Sequence, residues 1–125
     1  MNSLLLQIPV TPVPASRPRV SKWGTYYGKT YSKFRKEAKP AVQDAYGSDE
    51  PLQGGLEVHA IFFCKRPKTT KRRDPRGDVD NYVKAILDSC NGIVWDDDDQ
   101  ILRLTASKRW EDEFGPRIEL IISPA

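Results

Sequence analysis

The stretch from residue 76 to residue 101, RGDVDNYVKAILDSCNGIVWDDDDQI, constrains the fold more than any other part of the chain. Its apolar residues recur at the spacing of one face of an α-helix, and they are Val79, Tyr82, Val83, Ile86, Leu87 and Cys90. Asp78 is placed to act as the N-cap, because a carboxylate there accepts from free backbone N–H groups. Asn91-Gly92 predicts the end of the helix, since Gly tolerates the left-handed conformation needed after the last turn.

Two aspartates and a lysine lie at the start of this predicted helix. Residues two apart on a helix differ by about 200° of rotation, so Asp78 and Asp80 converge only if Asp78 precedes the helix. Lys84 follows Asp80 by four residues and shares its face. The sequence thus predicts an acid pair and a cation at a helix N-terminus, a location that already favours anions.

Four consecutive aspartates, Asp96 to Asp99, follow the predicted helix. A solvated acidic turn explains most charge runs of this kind. Four adjacent like charges repel each other, however, and a divalent cation would relieve the repulsion. Oxygen ligands without His or Cys favour Mg²⁺ or Mn²⁺ over Zn²⁺. A calcium EF-hand loop starting at Asp96 is excluded, because Ile101 and Ser107 stand where that loop has Gly and Glu.

The length and composition indicate one cytoplasmic domain. At 125 residues the chain fits a single domain, residues 1–125, with a substantial core. The opening MNSLLLQIPV is too short and uncharged for a signal peptide, and no apolar run is long enough to span a membrane. Two cysteines, Cys64 and Cys90, do not make a disulfide framework and are expected in the core of a protein from a reducing compartment.

Charge is distributed unevenly along the chain. Residues 1–76 carry 15 Lys and Arg against six acidic residues, whereas residues 77–125 carry five against eleven. This asymmetry suits a protein that holds a polyanion with its first part and a metal with its second.

Two basic segments are candidates for DNA binding. The first, residues 17–29, interleaves cations with Trp and Tyr, which can contact phosphates and stack on unpaired bases, although a surface loop packing on the core is the alternative. The second, residues 65–76, has seven Lys and Arg in twelve residues and leads directly into Asp78, although it could be only a flexible solvated loop. The candidate DNA-binding residues are Arg17, Arg19, Lys22, Lys68, Lys71, Arg72, Arg73 and Arg76.

The remaining pattern predicts an α+β domain of two layers. Strands are expected at residues 3–10, 56–64, 101–108 and 117–123, with helices at residues 32–46 and 79–90. Pro40 should kink or break the first helix, and its exposed basic face is expected to be solvated. The order β-α-β-α-β-β predicts a mixed sheet of about four strands, with the last two strands forming an antiparallel hairpin.

Two sequence motifs, taken together, resemble those of the RusA family of Holliday junction resolvases. They are Asp78-x-Asp80-Asn81-x-x-Lys84 and Asn91-Gly92-x₄-Asp97-Asp98-x-Gln100-Ile101. The resemblance extends over essentially the whole chain, including the early Pro-rich basic loop. It implies a small phage- or prophage-type endodeoxyribonuclease that nicks four-way DNA junctions symmetrically as a homodimer with Mg²⁺, for which Mn²⁺ can substitute.

The resemblance also implies roles for individual residues. Asp78, Asp80 and Asp98 match the metal-binding aspartates, with Asp98 chosen because it stands two residues before Gln100. Lys84 matches the catalytic lysine. The basic residue often found just before the first aspartate is here Gly77, with Arg76 one step earlier.

Two other functions are compatible with the sequence. One is a metal-dependent nuclease for flaps or other branched DNA. The other is a DNA-binding module without catalysis, whose acidic cluster holds a structural metal or mimics a phosphate backbone; Lys84 beside the acid pair argues against it. No segment identifies the dimer interface, for which Trp95 and Trp110 are the candidates.

Overall fold

The computed structural model describes residues 3–16, 19–22, 24–26 and 28–125. The two helices are α1 (Lys29–Tyr46) and α2 (Val79–Cys90), and a 3₁₀ turn spans Asp98–Gln100. The six strands are β1 (Leu4–Ile8), β2 (Arg19–Ser21), β3 (Gly24–Tyr26), β4 (Leu56–Cys64), β5 (Ile101–Trp110) and β6 (Arg117–Pro124). Among these residues, neither helix is both long and apolar enough to cross a bilayer.

Four strands form one mixed sheet in the order β1-β6-β4-β5, and β2 pairs with β3 in a separate small hairpin. Strand β5 runs parallel to β4, whereas β6 runs antiparallel to both β4 and β1. Strand β4 buries alternate side chains, and these join buried residues of both helices in one core. The predicted α+β architecture, with a mixed sheet of four strands and two helices, is therefore confirmed.

The predicted hairpin between the last two strands is wrong. Strand β6 pairs with β4 and β1, and β4 separates it from β5. Burial explains the arrangement, because Ile118, Leu120 and Ile122 of β6 are almost fully buried and belong in the centre of the sheet. Strand β5 alternates polar and partly exposed residues and suits the edge. Connecting β4 to β5 through α2 gives a parallel βαβ unit.

Helix α1 begins three residues earlier than predicted and passes through Pro40 without a break in its assignment. Its buried face consists of Tyr31, Phe34, Ala38 and Val42. Pro40 has no backbone N–H to donate to the carbonyl one turn earlier in the helix. Because Pro40 is exposed, this carbonyl lies on the solvent side, where water can donate to it.

Trp95, one of the two proposed interface residues, is fully buried and belongs to the core. It follows α2 by a tight turn in which the Gly92 N–H donates to the Trp95 carbonyl at 2.7 Å. Gly92 has φ +82°, as predicted for the residue that ends the helix. A side chain with no exposed surface cannot contact a second subunit, so this prediction for Trp95 was wrong.

Candidate active site at the start of helix α2

Asp78 is the N-cap residue of α2, as predicted, but its carboxylate does not cap the helix. Its main chain is extended (φ −80°, ψ 137°), and its carbonyl accepts from the N–H groups of Asn81 at 3.1 Å and Tyr82 at 3.3 Å. The side chain makes no capping hydrogen bond within the described structure. The helix therefore begins without the help of this carboxylate, which leaves the Asp78 side chain for another task.

The main chain just before Asp78 is held at three consecutive carbonyls. The Lys108 ammonium of β5 donates to the carbonyl of Pro75 at 2.7 Å and to that of Gly77 at 2.5 Å. Between them, the Tyr82 hydroxyl donates to the carbonyl of Arg76 at 2.7 Å. A strand and a helix thus fix the segment that delivers Asp78, a role for Lys108 that sequence reasoning missed.

Gly77 is required by the same segment. It has φ +94°, a conformation that residues with a side chain rarely adopt. A Cβ atom there would meet the Tyr82 ring at 3.1 Å and Pro14 at 3.2 Å. The chain therefore has Gly, rather than a basic residue, directly before its first aspartate for a conformational and steric reason.

Three of the four predicted catalytic residues line one shallow cleft. Asp80 and Lys84 of α2 face Asp98 of the 3₁₀ turn across a space of about 360 Å³. The rest of the wall consists of Val83, Leu87, Asp88, Ile101 and Leu104. Asp78 does not line this cleft, although it stands only two residues from Asp80.

Lys84 makes an ion pair with Asp88, at 3.3 Å between Nζ and Oδ2. Both side chains are largely exposed, so this pair contributes only about 0.3–0.5 kcal/mol to stability. The contact holds the lysine along α2 beside the cleft without burying it.

The four consecutive aspartates occupy different environments. Asp97 caps the 3₁₀ turn, where its carboxylate accepts from the Asp99 N–H at 3.2 Å. Asp98 is half-buried and reaches the cleft, whereas Asp96 and Asp99 are exposed. The Gln100 side-chain oxygen completes the cap by accepting from the N–H groups of Asp96 and Asp97. Its side-chain nitrogen anchors the turn by donating to the carbonyls of Leu52 and Gly54. The run is thus a turn fixed by hydrogen bonds, in which Asp96, Asp97 and Asp99 remain exposed to solvent.

Asn91 connects Asp98 to the core. The Trp95 indole donates to the Asn91 side-chain oxygen at 2.7 Å, and the Asn91 amide nitrogen lies 3.4 Å from an Asp98 carboxylate oxygen. Because an indole N–H can only donate, it fixes the amide with its NH₂ toward Asp98. The sequence indicated Asn91 as part of a helix end and of the second motif, whereas its hydrogen bonds to Trp95 and Asp98 emerge from the fold.

The environment of Asp98 is that of a carboxylate among like charges. Burial raises the pKa of its carboxyl group, and the neighbouring Asp97 and Asp88 act in the same direction. The Asn91 hydrogen bond opposes them by favouring the ionised form. A cation in the cleft would lower this pKa and relieve the repulsion.

The donor set fits Mg²⁺ or Mn²⁺. Among the described residues, no three carboxylate, thiol or imidazole groups are close enough to form a ready-made metal site. Mg²⁺ does not need one, because it keeps several waters and binds through one or two carboxylates together with substrate phosphates. Asp80 and Asp98, which line the same cleft, meet that requirement, and Asp78 precedes Asp80 by two residues.

The basic segment before Asp78 is exposed and tethered. Its main chain accepts a hydrogen bond from the Trp110 indole at the Arg72 carbonyl, at 3.3 Å, and the Arg66 N–H donates to Glu111 at 2.7 Å. Trp110 is therefore half-buried against this segment. The predicted DNA-binding residues that the segment exposes are Lys68, Lys71, Arg72, Arg73 and Arg76.

The earlier basic segment is described only in part. Arg19 begins β2, and Lys22 lies exposed in the turn between β2 and β3. Arg17 lies outside the described residues.

Comparison with known proteins gives one family and one relative. The family described as "Endodeoxyribonuclease RusA" matches residues 9–123. The uncharacterized protein YqaN of Bacillus subtilis (strain 168) is 40% identical over 131 aligned positions, which cover 89% of each chain. The match includes every residue of the cleft and the whole sheet except its first strand and last residue.

Proposed function

The chain belongs to the RusA endodeoxyribonuclease family, and we propose that it is a metal-dependent Holliday junction resolvase whose catalytic residues are Asp78, Asp80, Lys84 and Asp98. Family membership implies nuclease activity on Holliday junctions. The observation that carries the assignment of residues is the cleft in which Asp80, Lys84 and Asp98 meet. Helix α2 and the anchored 3₁₀ turn hold these groups on separate elements, which suits a site that must accept a phosphodiester between them.

Asp80 and Asp98 would hold one or two Mg²⁺ or Mn²⁺ ions, with Asp78 as a further ligand. Bound there, such an ion would supply a water of lowered pKa and would neutralise charge on phosphate oxygens. The protein contributes the fixed position of these carboxylates: Lys108 and Tyr82 hold the chain before Asp78, and Asn91 orients Asp98.

The proposed reaction is hydrolysis of one phosphodiester bond in each of two strands. The water oxygen bonds to phosphorus, the bond from phosphorus to the 3′-oxygen breaks, and that oxygen takes up a proton. The products are a 5′-phosphate and a 3′-hydroxyl, which a ligase can reseal. Lys84 stabilises the charge that develops on the phosphate or orients the water.

Junction DNA is the proposed substrate, and a homodimer is the proposed assembly. Exposed cations in both basic segments supply contacts to phosphates. Two symmetric cuts require two sites, which a two-fold dimer of this chain provides. Host-cell cytoplasm is the proposed location, and a phage or prophage is the proposed origin.

Cleavage of a labelled synthetic four-way junction tests this function, with linear duplex and flap substrates as controls and with Mg²⁺, Mn²⁺ or EDTA. Paired symmetric nicks on the junction alone, lost in EDTA, are the expected result. Cutting of all branched substrates would instead assign a general branched-DNA nuclease. Tight junction binding without cutting in either metal would assign the non-catalytic module and overturn the roles of the three aspartates.

A further inference from the structure

A second cleft lies beside the active site, between the two helices. We name it the α1–α2 cleft, and its volume is about 390 Å³. Helix α1 lines one wall with Ser32, Arg35, Lys36 and Lys39, and helix α2 lines the other with Ala85, Asp88 and Ser89. These cations of α1 are exposed, as expected, and they also face the helix that carries the active site.

These cations form one stripe on α1. Positions 32, 35, 36 and 39 fall within about 100° of the helix circumference, beside the buried face that contains Tyr31 and Phe34. Lys33 lies about 110° from the middle of this stripe and outside the cleft, and it pairs with Glu37 at 3.7 Å. The charge of α1 is thus divided between an ion-paired side and a cationic side that lines the cleft.

The cleft retains positive charge. Lys36 and Lys39 form no ion pair within the described part of the chain, and Asp88 on the opposite wall is already paired with Lys84. Two lysines and an arginine along a groove can each contact one phosphate in a row. Each such contact favours binding, because the neutralised phosphate releases condensed counterions.

Asp88 joins the two clefts, because it lines both of them. From Asp80 to Asp88 the rise along α2 is about 12 Å, at 1.5 Å per residue. For a duplex whose axis lies along α2, phosphates of one strand follow each other by about 3.4 Å along that axis, so this rise corresponds to about three or four phosphates. A strand cut beside Asp80 can therefore reach the α1–α2 cleft without leaving the surface of α2.

We infer that the α1–α2 cleft binds the phosphates of the junction arm that flanks the cut, through Arg35, Lys36 and Lys39. The inference rests on the proposed function for the identity of the DNA but concerns binding rather than cleavage. It makes α1, together with the two basic segments, part of the DNA-binding surface.

The test measures binding of a fluorescent four-way junction by anisotropy, in EDTA, over a series of NaCl concentrations. Lys36→Gln and Lys39→Gln are each expected to reduce the slope of log K against log [NaCl] by about 0.9. The double variant is expected to bind at least about tenfold more weakly at 0.1 M NaCl. Lys33→Gln is the matched control, because it removes the same charge from the same helix at a position that does not line the cleft.

A second measurement tests the location of the contact. A neutral methylphosphonate placed about three or four nucleotides from the cut should weaken binding of the wild-type protein but not of the double variant. Equal losses in both proteins would overturn the contact, because the phosphate would then be bound elsewhere.

The inference and the proposed function fail in different ways. If Lys36→Gln and Lys39→Gln bind with the slope of Lys33→Gln while the wild-type protein still cuts junctions, the inference is overturned and the function stands. If the wild-type protein binds without cutting and both variants lose slope, the inference is supported and the function falls. Absence of any DNA binding by the wild-type protein overturns both.

Discussion

The ammonium group of Lys108 lies 2.5 Å from the carbonyl oxygen of Gly77, the residue directly before Asp78. The same ammonium donates to the Pro75 carbonyl. An edge strand thereby fixes the main chain from which the first aspartate of the active site projects. Substitution of a residue that positions a metal ligand typically lowers metal affinity or activity 10- to 100-fold.

Lys108→Met should therefore impair the metal site more than the fold. The methionine keeps an apolar stem but loses both hydrogen bonds, so the segment before Asp78 is expected to loosen. The expected result is a roughly 10- to 100-fold loss of junction cleavage, together with a higher Mg²⁺ concentration for half-maximal rate. A titration of cleavage rate against Mg²⁺ measures both effects.

Arg103→Met is the control for this variant, because Arg103 is an exposed cation on the same strand. A Lys108→Met protein with the wild-type Mg²⁺ dependence and cleavage rate would refute the positioning role. Direct Mn²⁺ binding, followed by calorimetry without DNA, gives a readout that a general loss of stability does not reproduce.

Substitution along the aspartate run should separate its members by function. Asp98→Asn is expected to abolish cleavage while sparing or tightening junction binding, because it removes a negative charge that faces the cleft. Asp99→Asn, at an exposed position outside the cleft, should cut normally. Cleavage assays and anisotropy on the two variants test this directly, and full cleavage by Asp98→Asn would transfer the metal-binding role to Asp97 or Asp99.

Asp97→Asn should lower stability rather than eliminate cleavage. Its carboxylate caps the 3₁₀ turn, and Asn is itself a good cap, so the loss should be small. Asp97→Ala removes the cap and should cost about 0.5–2 kcal/mol in the free energy of unfolding. Urea denaturation of the two variants checks the difference; equal unfolding midpoints would contradict a capping role.

Lys84 and Asp88 allow the ion pair to be separated from catalysis. If Lys84 acts on the phosphate or the water, Lys84→Gln should lose cleavage by about 10²-fold or more. Asp88→Asn breaks the same ion pair but leaves the ammonium in place, so cleavage should persist. Single-turnover rates with saturating junction compare the two variants, and equal losses would reduce Lys84 to a partner of Asp88.

Trp95 should affect Asp98 through Asn91, which is hydrogen-bonded to both residues. Trp95→Phe removes the indole N–H and leaves the Asn91 oxygen without that donor, which should destabilise the fold by roughly 1–3 kcal/mol. Asn91 would then lose its fixed orientation toward Asp98. The expected signature is weaker Mn²⁺ binding that Asn91→Ala reproduces; unchanged Mn²⁺ affinity in both variants would refute the connection.

The sequence was sufficient for those parts of the fold that depend on local pattern. Apolar periodicity predicted α2 and β4 with their observed bounds, because each has one strongly buried face. Apolar periodicity did not predict the partners of β6, because strands compete for the central positions of the sheet and this competition decides which strands pair. That competition depends on the burial of Ile118, Leu120 and Ile122 against distant strands.

The candidate site shows the same division. Asp80, Lys84 and Asp98 could be named from two motifs, and the fold brings them to one cleft. Lys108, which fixes the main chain before Asp78, lies in neither motif. Asn91 lies in the second motif, but its hydrogen bonds to Trp95 and Asp98 are visible only in the fold. Lys108 is separated by more than 30 residues from the carbonyls that it binds, so no local pattern reveals the contact.

The ion pair between Asp112 and Arg117 predicts how stability changes with pH. The Arg117 guanidinium donates to both Asp112 oxygens, at 2.8 and 3.2 Å, and also to Glu119 at 2.8 Å while it lies over the Phe63 ring. These hydrogen bonds lower the pKa of the Asp112 carboxyl.

A group with a lowered pKa in the folded state stabilises the protein above its unfolded pKa, and the contribution is lost as pH falls through the folded value. Asp112→Asn should therefore melt below the wild-type protein at neutral pH, and the difference should shrink under strongly acidic conditions. Thermal unfolding from neutral to strongly acidic pH measures the convergence, with Asp99→Asn as a control that changes the same charge at a position with no salt bridge to the described residues. A constant difference at every pH would show that the substitution acts through packing rather than through this carboxylate.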